Sequence, residues 1–152
     1  SDICRRILQR LKADGETIRR VSLLVKQHGI EWKDDRRFLK RRLQRFGVEN
    51  CRMMLMIRTA DLSGQHEKSE EGGLPRWRSQ LCRIEEGIDM ILKAQMCFSR
   101  SSLAIDGRDL MADGVPSGPE LGEILEQLLE LVIEEELPNE KEALLEKSRQ
   151  IR

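Results

Sequence analysis

The chain has 152 residues, 39% of them hydrophobic, 36% charged and only 3% aromatic, with no tyrosine. Such a composition, rich in Leu, Glu, Lys and Arg, favours an all-α protein, and no apolar run approaches the roughly 20 residues that a bilayer-spanning helix needs. Net charge is zero, but residues 1–60 hold 16 Lys/Arg against 7 Asp/Glu while residues 118–147 hold 2 against 10, so a basic end and an acidic end cancel.

Ile3 to Lys12 starts the chain as a helix with apolar positions Ile3, Ile7, Leu8 and Leu11, and Asp14-Gly15 breaks it. A second helix runs to about His28 on Ile18, Val21, Leu24 and Val25, with Gly29 as its stop. Asp34-Asp35 opens a third, "DDRRFLKRRLQRF", whose early acids suit a positive helix N-terminus and which Gly47 closes. Phe38, Leu39, Leu43 and Phe46 form its buried stripe, and Arg37, Arg41 and Arg45 a guanidinium row on another side. "ENCRMMLMIRTADLSG" is apolar on most sides, as a central helix would be, with Met53, Met54 and Met56 as core filler. "QHEKSEEGGLPRW" reads as a flexible connector before a long helix from about Trp77 to Cys97. Beyond Ser99 a glycine-rich stretch leads to Ser117-Gly118-Pro119-Glu120, which matches a Ser-x-x-Glu capping box. The following helix, 118–135, carries Leu121, Ile124, Leu125, Leu128, Leu129 and Val132 on one face. Pro138 stops it, and Asn139 with Glu142 caps the last helix. The expected fold is therefore all-α: a helical body over 1–98 and a smaller helical tail over 99–152.

Few residues invite chemistry. Cys4, Cys51, Cys82 and Cys97 lie far apart with no Cys-x-x-Cys pair, so reduced thiols are expected rather than a metal or redox site. His28 and His66 have no ligand partner at i+3 or i+4. Asp61, a carboxylate inside an apolar helix, demands an ion pair or a helix-end hydrogen bond. The glycines at 107, 114, 118 and 122 evoke a phosphate loop, but the stretch has no Gly-Lys-Ser/Thr, because no lysine is there to reach the outer phosphates. What survives is weaker: free N–H groups at the start of the 118–135 helix could hold one anion. No catalytic set and no metal set stands out. The basic helix is the main signal, with Arg36, Arg37, Lys40, Arg41, Arg42 and Arg45 placing six cations within ten residues. Guanidinium forks match phosphate oxygens, and with so few aromatics the expected reading is of nucleic-acid backbone and helix shape rather than of bases. A plain solvated face is the alternative.

The segment "LAIDGRDLMADGVPSGPELGEILEQLLELVIEEELPNEKEALLEKS" resembles the C-terminal tail of bacterial class II tRNA nucleotidyltransferases, the CCA-adding and poly(A) polymerase family. The matching positions are Ile105, Gly107, Asp109, Leu110, Gly114, Gly118, Pro119, Leu121, Gly122, Leu137 and Asn139. Upstream, "LLVKQHGIEWKDDRRFLKRRLQRFGVENCRMMLMIRTADLSGQ" is similar to the family's body region, which is related to HD phosphohydrolases; the adjacent His-Asp pair of those enzymes is missing here.

The family's catalytic head, with its Gly-Ser and paired metal-binding aspartates, and its nucleotide-templating neck have no counterpart in these residues. The chain also does not open on methionine, which points to processing or to a piece of a longer polypeptide. The resemblance implies a tRNA-holding, cytoplasmic region that is inactive alone and binds no cofactor, with Mg²⁺ in the absent head of a parent that adds CCA nucleotides. It would grip the acceptor stem and T-arm through Arg36, Arg37, Lys40, Arg41 and Arg45, with Arg108 and the backbone at Gly118 as a second anchor. The competing expectation is a non-enzymatic interaction module, a homodimer in which the acidic tail of one copy meets the basic helix of another.

Overall fold

The computed structural model describes residues 2–65 and 76–151. Its α-helices are α1 (Asp2–Arg10), α2 (Gly15–Gln27), α3 (Arg36–Phe46), α4 (Val48–Gln65), α5 (Arg76–Lys93), α6 (Gly107–Ala112), α7 (Pro119–Ile133) and α8 (Lys141–Ile151), with a 3-10 turn at Arg100–Ser102. No strand occurs among the described residues, so the fold is all-α. The expected connector after Gln65, with His66 in it, lies outside the described residues. Two compact units form: Ser1–Asp34 with Phe46–Gly87, and Asp35–Arg45 with Ile88–Arg152. Helix α3 is thus grouped with the C-terminal residues.

In the first unit, α1 packs on α2 and α2 on α4. Asp14 does more than break the chain. It N-caps α2, accepting from the Thr17 backbone N–H at 2.9 Å and the Thr17 hydroxyl at 2.5 Å, and the hydroxyl in particular holds its carboxyl below the usual aspartate range. Helix α2 ends at Gln27 with His28 as its C-cap in right-handed geometry, so Gly29 follows the helix end as expected, without a left-handed backbone. His28 turns Nδ1 to the Val25 carbonyl at 2.8 Å. Helix α4 buries Cys51, Met54 and Leu55, but Met56 is 67% exposed, so the helix keeps a solvent side and Met56 is not core filler. Asp61 also lies exposed rather than enclosed, paired with Arg58 at 3.2 Å.

The second unit is built around α7. Ile124, Leu128, Leu129, Val132 and Ile133 enter a core with Cys97, Ile105, Leu110, Val115 and Leu144, and Leu121 and Leu125 cover its edge. Each fully buried aliphatic side chain contributes about 1.5–3 kcal/mol. Helix α6, within the glycine-rich stretch, starts with a reciprocal capping box: Asp106 accepts from the Arg108 and Asp109 N–H groups, and Asp109 accepts from the Asp106 N–H. Gly107 opens α6 because a Cβ there would meet the Leu121 methyl at 3.0 Å. Gly114 ends α6 with φ +92, a left-handed turn that only glycine adopts without strain.

Two expected caps are corrected. The N-cap of α7 is Gly118, extended and without a side-chain hydrogen bond, so Ser117 forms no capping box; Pro119 at the first helical position starts the helix instead. Asn139 does not cap α8. Its Oδ1 accepts from the Ala104 N–H and its Nδ2 donates to the Ser102 carbonyl, each at 2.9 Å, so it staples the approach to α8 onto the loop before α6. Helix α5 ends at Lys93 rather than near Cys97, because Gln95 takes a left-handed conformation (φ 49) and Met96 N–H closes onto the Ile91 carbonyl.

Asn139→Ala should lower the unfolding free energy by about 1–2 kcal/mol, the net worth of two hydrogen bonds. Leu128→Ala, at the centre of the α7 face, should cost about 2–5 kcal/mol. Urea titration followed by circular dichroism at 222 nm (the usual helix band) measures both.

Candidate nucleic-acid interface

Helix α3 divides its surface into four strips at helical spacing. Leu39 and Leu43 are buried at 1% exposure each, and Phe46 continues that line. Arg42 lies over the Phe38 ring, 4.6 Å from its centroid, so Phe38 serves as a half-buried platform rather than core. Arg36 and Lys40 form the third strip, and Arg37, Arg41 and Arg45 the fourth, exposed one.

The third strip meets the C-terminal end of α7. Glu135 accepts a two-pronged bond from Arg36, Nε at 2.6 Å and Nη2 at 2.7 Å, and a third from Lys40 Nζ at 3.1 Å. Glu134 accepts from Arg41 Nε at 2.6 Å. More than two turns back along α7, Glu126 takes Gln44 Nε2 at 3.0 Å and Arg100 Nε at 2.7 Å. Lys40 is only 5% exposed, so its charge depends on Glu135.

Glu135 reaches this position through an unusual backbone. It has φ +64, and the Glu136 N–H closes onto the Leu131 carbonyl at 3.0 Å while the Glu135 N–H meets the Val132 carbonyl at 3.2 Å. That is the Schellman pattern, with glutamate where glycine is usual. The Arg36 hydrogen bond, ahead of Lys40, holds the Glu135 carboxyl below the usual glutamate range against the opposing pull of burial.

The sequence-predicted residues therefore separate into groups. Arg36, Lys40 and Arg41 converge on Glu134 and Glu135. Arg37 is exposed and makes no ion pair among the described residues, and Arg45 is exposed beside it in the same row. Arg108 stands exposed in the first turn of α6 and Gly118 exposed at the start of α7. Pro119 has no N–H, which leaves the Gly118, Glu120 and Leu121 amides at that helix end. At 1.5 Å per residue the 15 residues of α7 put Gly118 roughly 22 Å from the Glu134–Glu135 cluster. The pairing of acidic tail with basic helix, expected between two copies, occurs within one chain. Sequence reasoning missed the anchoring role of Glu126, Glu134 and Glu135; the acidic run was visible, its partner 82 to 99 residues away was not.

Among the described residues no group of three or more His, Cys, Asp or Glu could hold a metal ion, and no helix is long and apolar enough to cross a membrane. Two further ion pairs fasten the tail, Lys141 on Asp109 and Arg149 on Asp113. The Lys141 contact lowers the Asp109 pKa.

A carboxyl whose folded pKa is depressed contributes stability above its unfolded value and loses it as pH falls through the folded one. Glu135→Gln should therefore be less stable than the parent at neutral pH, with the gap narrowing once pH falls below the ordinary glutamate value of 4.5. Urea midpoints taken from neutral pH down to acid check this; a gap independent of pH would contradict the ionic role.

The family model described as "tRNA nucleotidyltransferase domain 2 putative" matches residues 2–148. A CCA-adding enzyme of Levilactobacillus brevis is 51% identical over 47 residues, a stretch that is 31% of this chain and 12% of that enzyme's length. No solved structure matches the chain. The match over nearly the whole length, on an all-α chain whose basic helix and acidic tail fasten one another, places the chain in the tRNA nucleotidyltransferase domain 2 family.

Proposed function

We propose that this chain is the tRNA-holding helical region of a CCA-adding nucleotidyltransferase, gripping the acceptor stem and T-arm by backbone contacts. The family match over residues 2–148 is the observation that carries the reading. Nucleotide addition, with its Mg²⁺, belongs in this reading to a catalytic head that these residues do not supply.

The distribution of exposed cations supports a grip on an extended polyanion rather than on a single nucleotide. Arg36, Lys40 and Arg41 have their carboxylates; of these, Arg36 and Arg41 keep side chains 53% exposed and can share an outer N–H with a phosphate, while Lys40 acts from beneath as the support of Glu135. The direct phosphate contacts fall to Arg37 and Arg45 on one side and to Arg108 with the Gly118 amide on the other. Gly118 lies the length of α7 from Glu135, where Arg36 is held with Arg37 next to it, while Arg45 follows Gln44 at the level of Glu126; one triphosphate does not bridge such a spread and an RNA helix does. A cation meeting a backbone phosphate reads no sequence, which suits an enzyme region that must accept every tRNA.

Fluorescence anisotropy with labelled tRNA tests the reading. Wild type should bind, and log affinity should fall linearly with log salt. Arg37→Glu and Arg108→Glu should each weaken binding and reduce the slope by about one, because each removes one phosphate contact. Unchanged affinity and slope in the double variant would overturn the assignment of these anchors, and absence of tRNA binding by wild type at low salt would overturn the function.

A further inference from the structure

Both tryptophans of the chain meet at one place, and the phosphate contacts of the proposed grip make no use of it. Trp32 lies in the segment between α2 and α3, and Trp77 in the first turn of α5. Within the first unit they line one cavity of about 250 Å³, together with the aliphatic side chains of Leu81 and Ile84. Trp32 is 5% exposed, while Trp77 is half-buried. In a chain with two tryptophans, three phenylalanines and no tyrosine, two indoles at one cavity concentrate the largest π surfaces there. The volume falls below the roughly 300–1,000 Å³ usual for whole small-molecule ligands, so a single planar ring system suits it better than an extended ligand.

The polar groups of the lining match a ring whose edge carries both donors and acceptors. Arg58 gives a guanidinium N–H to Asp61 at 3.2 Å, and its other guanidinium N–H groups meet no acceptor among the described residues. Gln80 donates its amide N–H to the Trp32 carbonyl at 3.3 Å, which leaves its side-chain carbonyl as an acceptor at the cavity. Glu31 adds a carboxylate that makes no ion pair among the described residues. A nucleobase has this combination, a flat face for an indole and an edge of N–H donors beside acceptors. The phosphates of a free nucleotide fit the place poorly. Among the described residues no lysine lines the cavity, Arg58 is already paired with Asp61, and Glu31 opposes a triphosphate.

We infer that this cavity takes a single unstacked base of RNA, held against Trp77 and Trp32 with Arg58 and Gln80 on its edge. For the identity of that RNA, an unpaired stretch of tRNA, the inference rests on the function proposed above. Stacking on an indole accepts every base, as a region that serves all tRNAs requires.

Intrinsic fluorescence reports on the cavity directly, because the chain has no other tryptophan. Excited at the red edge of indole absorption, where bases absorb little, wild type should be quenched saturably by a single-stranded RNA hexamer and by tRNA. An abasic hexamer of the same charge should not quench. Trp77→Leu should weaken hexamer binding, followed by anisotropy, about tenfold, the scale of one lost base stack. Gln80→Leu, at an exposed position of α5, should weaken it less but in the same direction, and it carries the test if Trp77→Leu does not fold. Absence of quenching by the RNA hexamer would overturn the inference, as would equal quenching by the abasic hexamer or unchanged affinity in both variants. Tighter quenching by ATP or CTP than by the hexamer would also overturn it, because the ligand would then be a free nucleotide. Binding of tRNA by anisotropy without quenching would overturn the base site alone and leave the backbone grip standing. Hexamer quenching without tRNA binding would do the reverse, sustaining the base site and overturning the tRNA reading.

Discussion

Helix α7 carries the wrong charge at its C-terminal end, and helix α3 corrects it. A helix C-terminus is negative and favours cations, yet α7 ends in Ile133 followed by Glu134, Glu135 and Glu136, with no basic residue in its last turn. Alone, that arrangement would weaken the helix. At the start of α3, Asp35 caps the helix by accepting from the Phe38 N–H at 2.8 Å, which leaves the cations of its first two turns for a partner. Arg36, Lys40 and Arg41 on Glu135 and Glu134 turn the unfavourable end of α7 into a charge-assisted contact, and in doing so fix α3 to residues more than 90 positions further along the chain.

The burial of Lys40 makes that contact asymmetric. Arg36 and Arg41 remain half-exposed, and exposed pairs contribute little individually. Lys40 is enclosed, so Glu135 cannot be neutralised without leaving an ammonium group with no compensating charge at its side. The left-handed Glu135 backbone fits the same account. A glutamate held at φ +64 costs more than a glycine would, and the cost is tolerated where the side chain is needed at that point in space. The basic end of the sequence is consequently less basic in the folded unit than along the chain, while Arg37 on α3 and Arg108 on α6 stay exposed and make no ion pair among the described residues.

Much of this architecture is legible in the sequence because it depends on local spacing. The apolar period of α7 predicts the buried Ile124, Leu128, Leu129 and Val132, and the breaks at Asp14, Gly47 and Pro138 fall between helices. Errors arise where one polar residue had several partners to choose from. Ser117 and Asn139 both have side chains suited to capping; Ser117 is passed over because Gly118 takes the cap position, and Asn139 is drawn to backbone groups 35 and 37 residues away. Met56 is expected in the core because its neighbours are apolar, but α4 keeps a solvent side and Met56 falls on it. The α3–α7 contact illustrates the deeper limit. Both charge runs are obvious in the sequence, but nothing local says whether an acidic run meets a basic one in its own chain or in another.

The motif that carries the family resemblance is mostly explained by packing inside the tail. Ile105 and Leu110 are buried. Asp109 completes the cap of α6 and takes Lys141. Gly107 makes room for Leu121, and Gly114 supplies a left-handed turn. Pro119 presets the first turn of α7, and Asn139 ties two loops together. Gly118 and Gly122 are different: a Cβ at either would meet nothing within 4 Å, and neither has a left-handed backbone. No contact within the tail requires glycine at those two positions, on the solvent side of the first turns of α7. A bare backbone there would leave room for close approach from outside, the role that the proposed grip on a tRNA phosphate gives to this end of the helix.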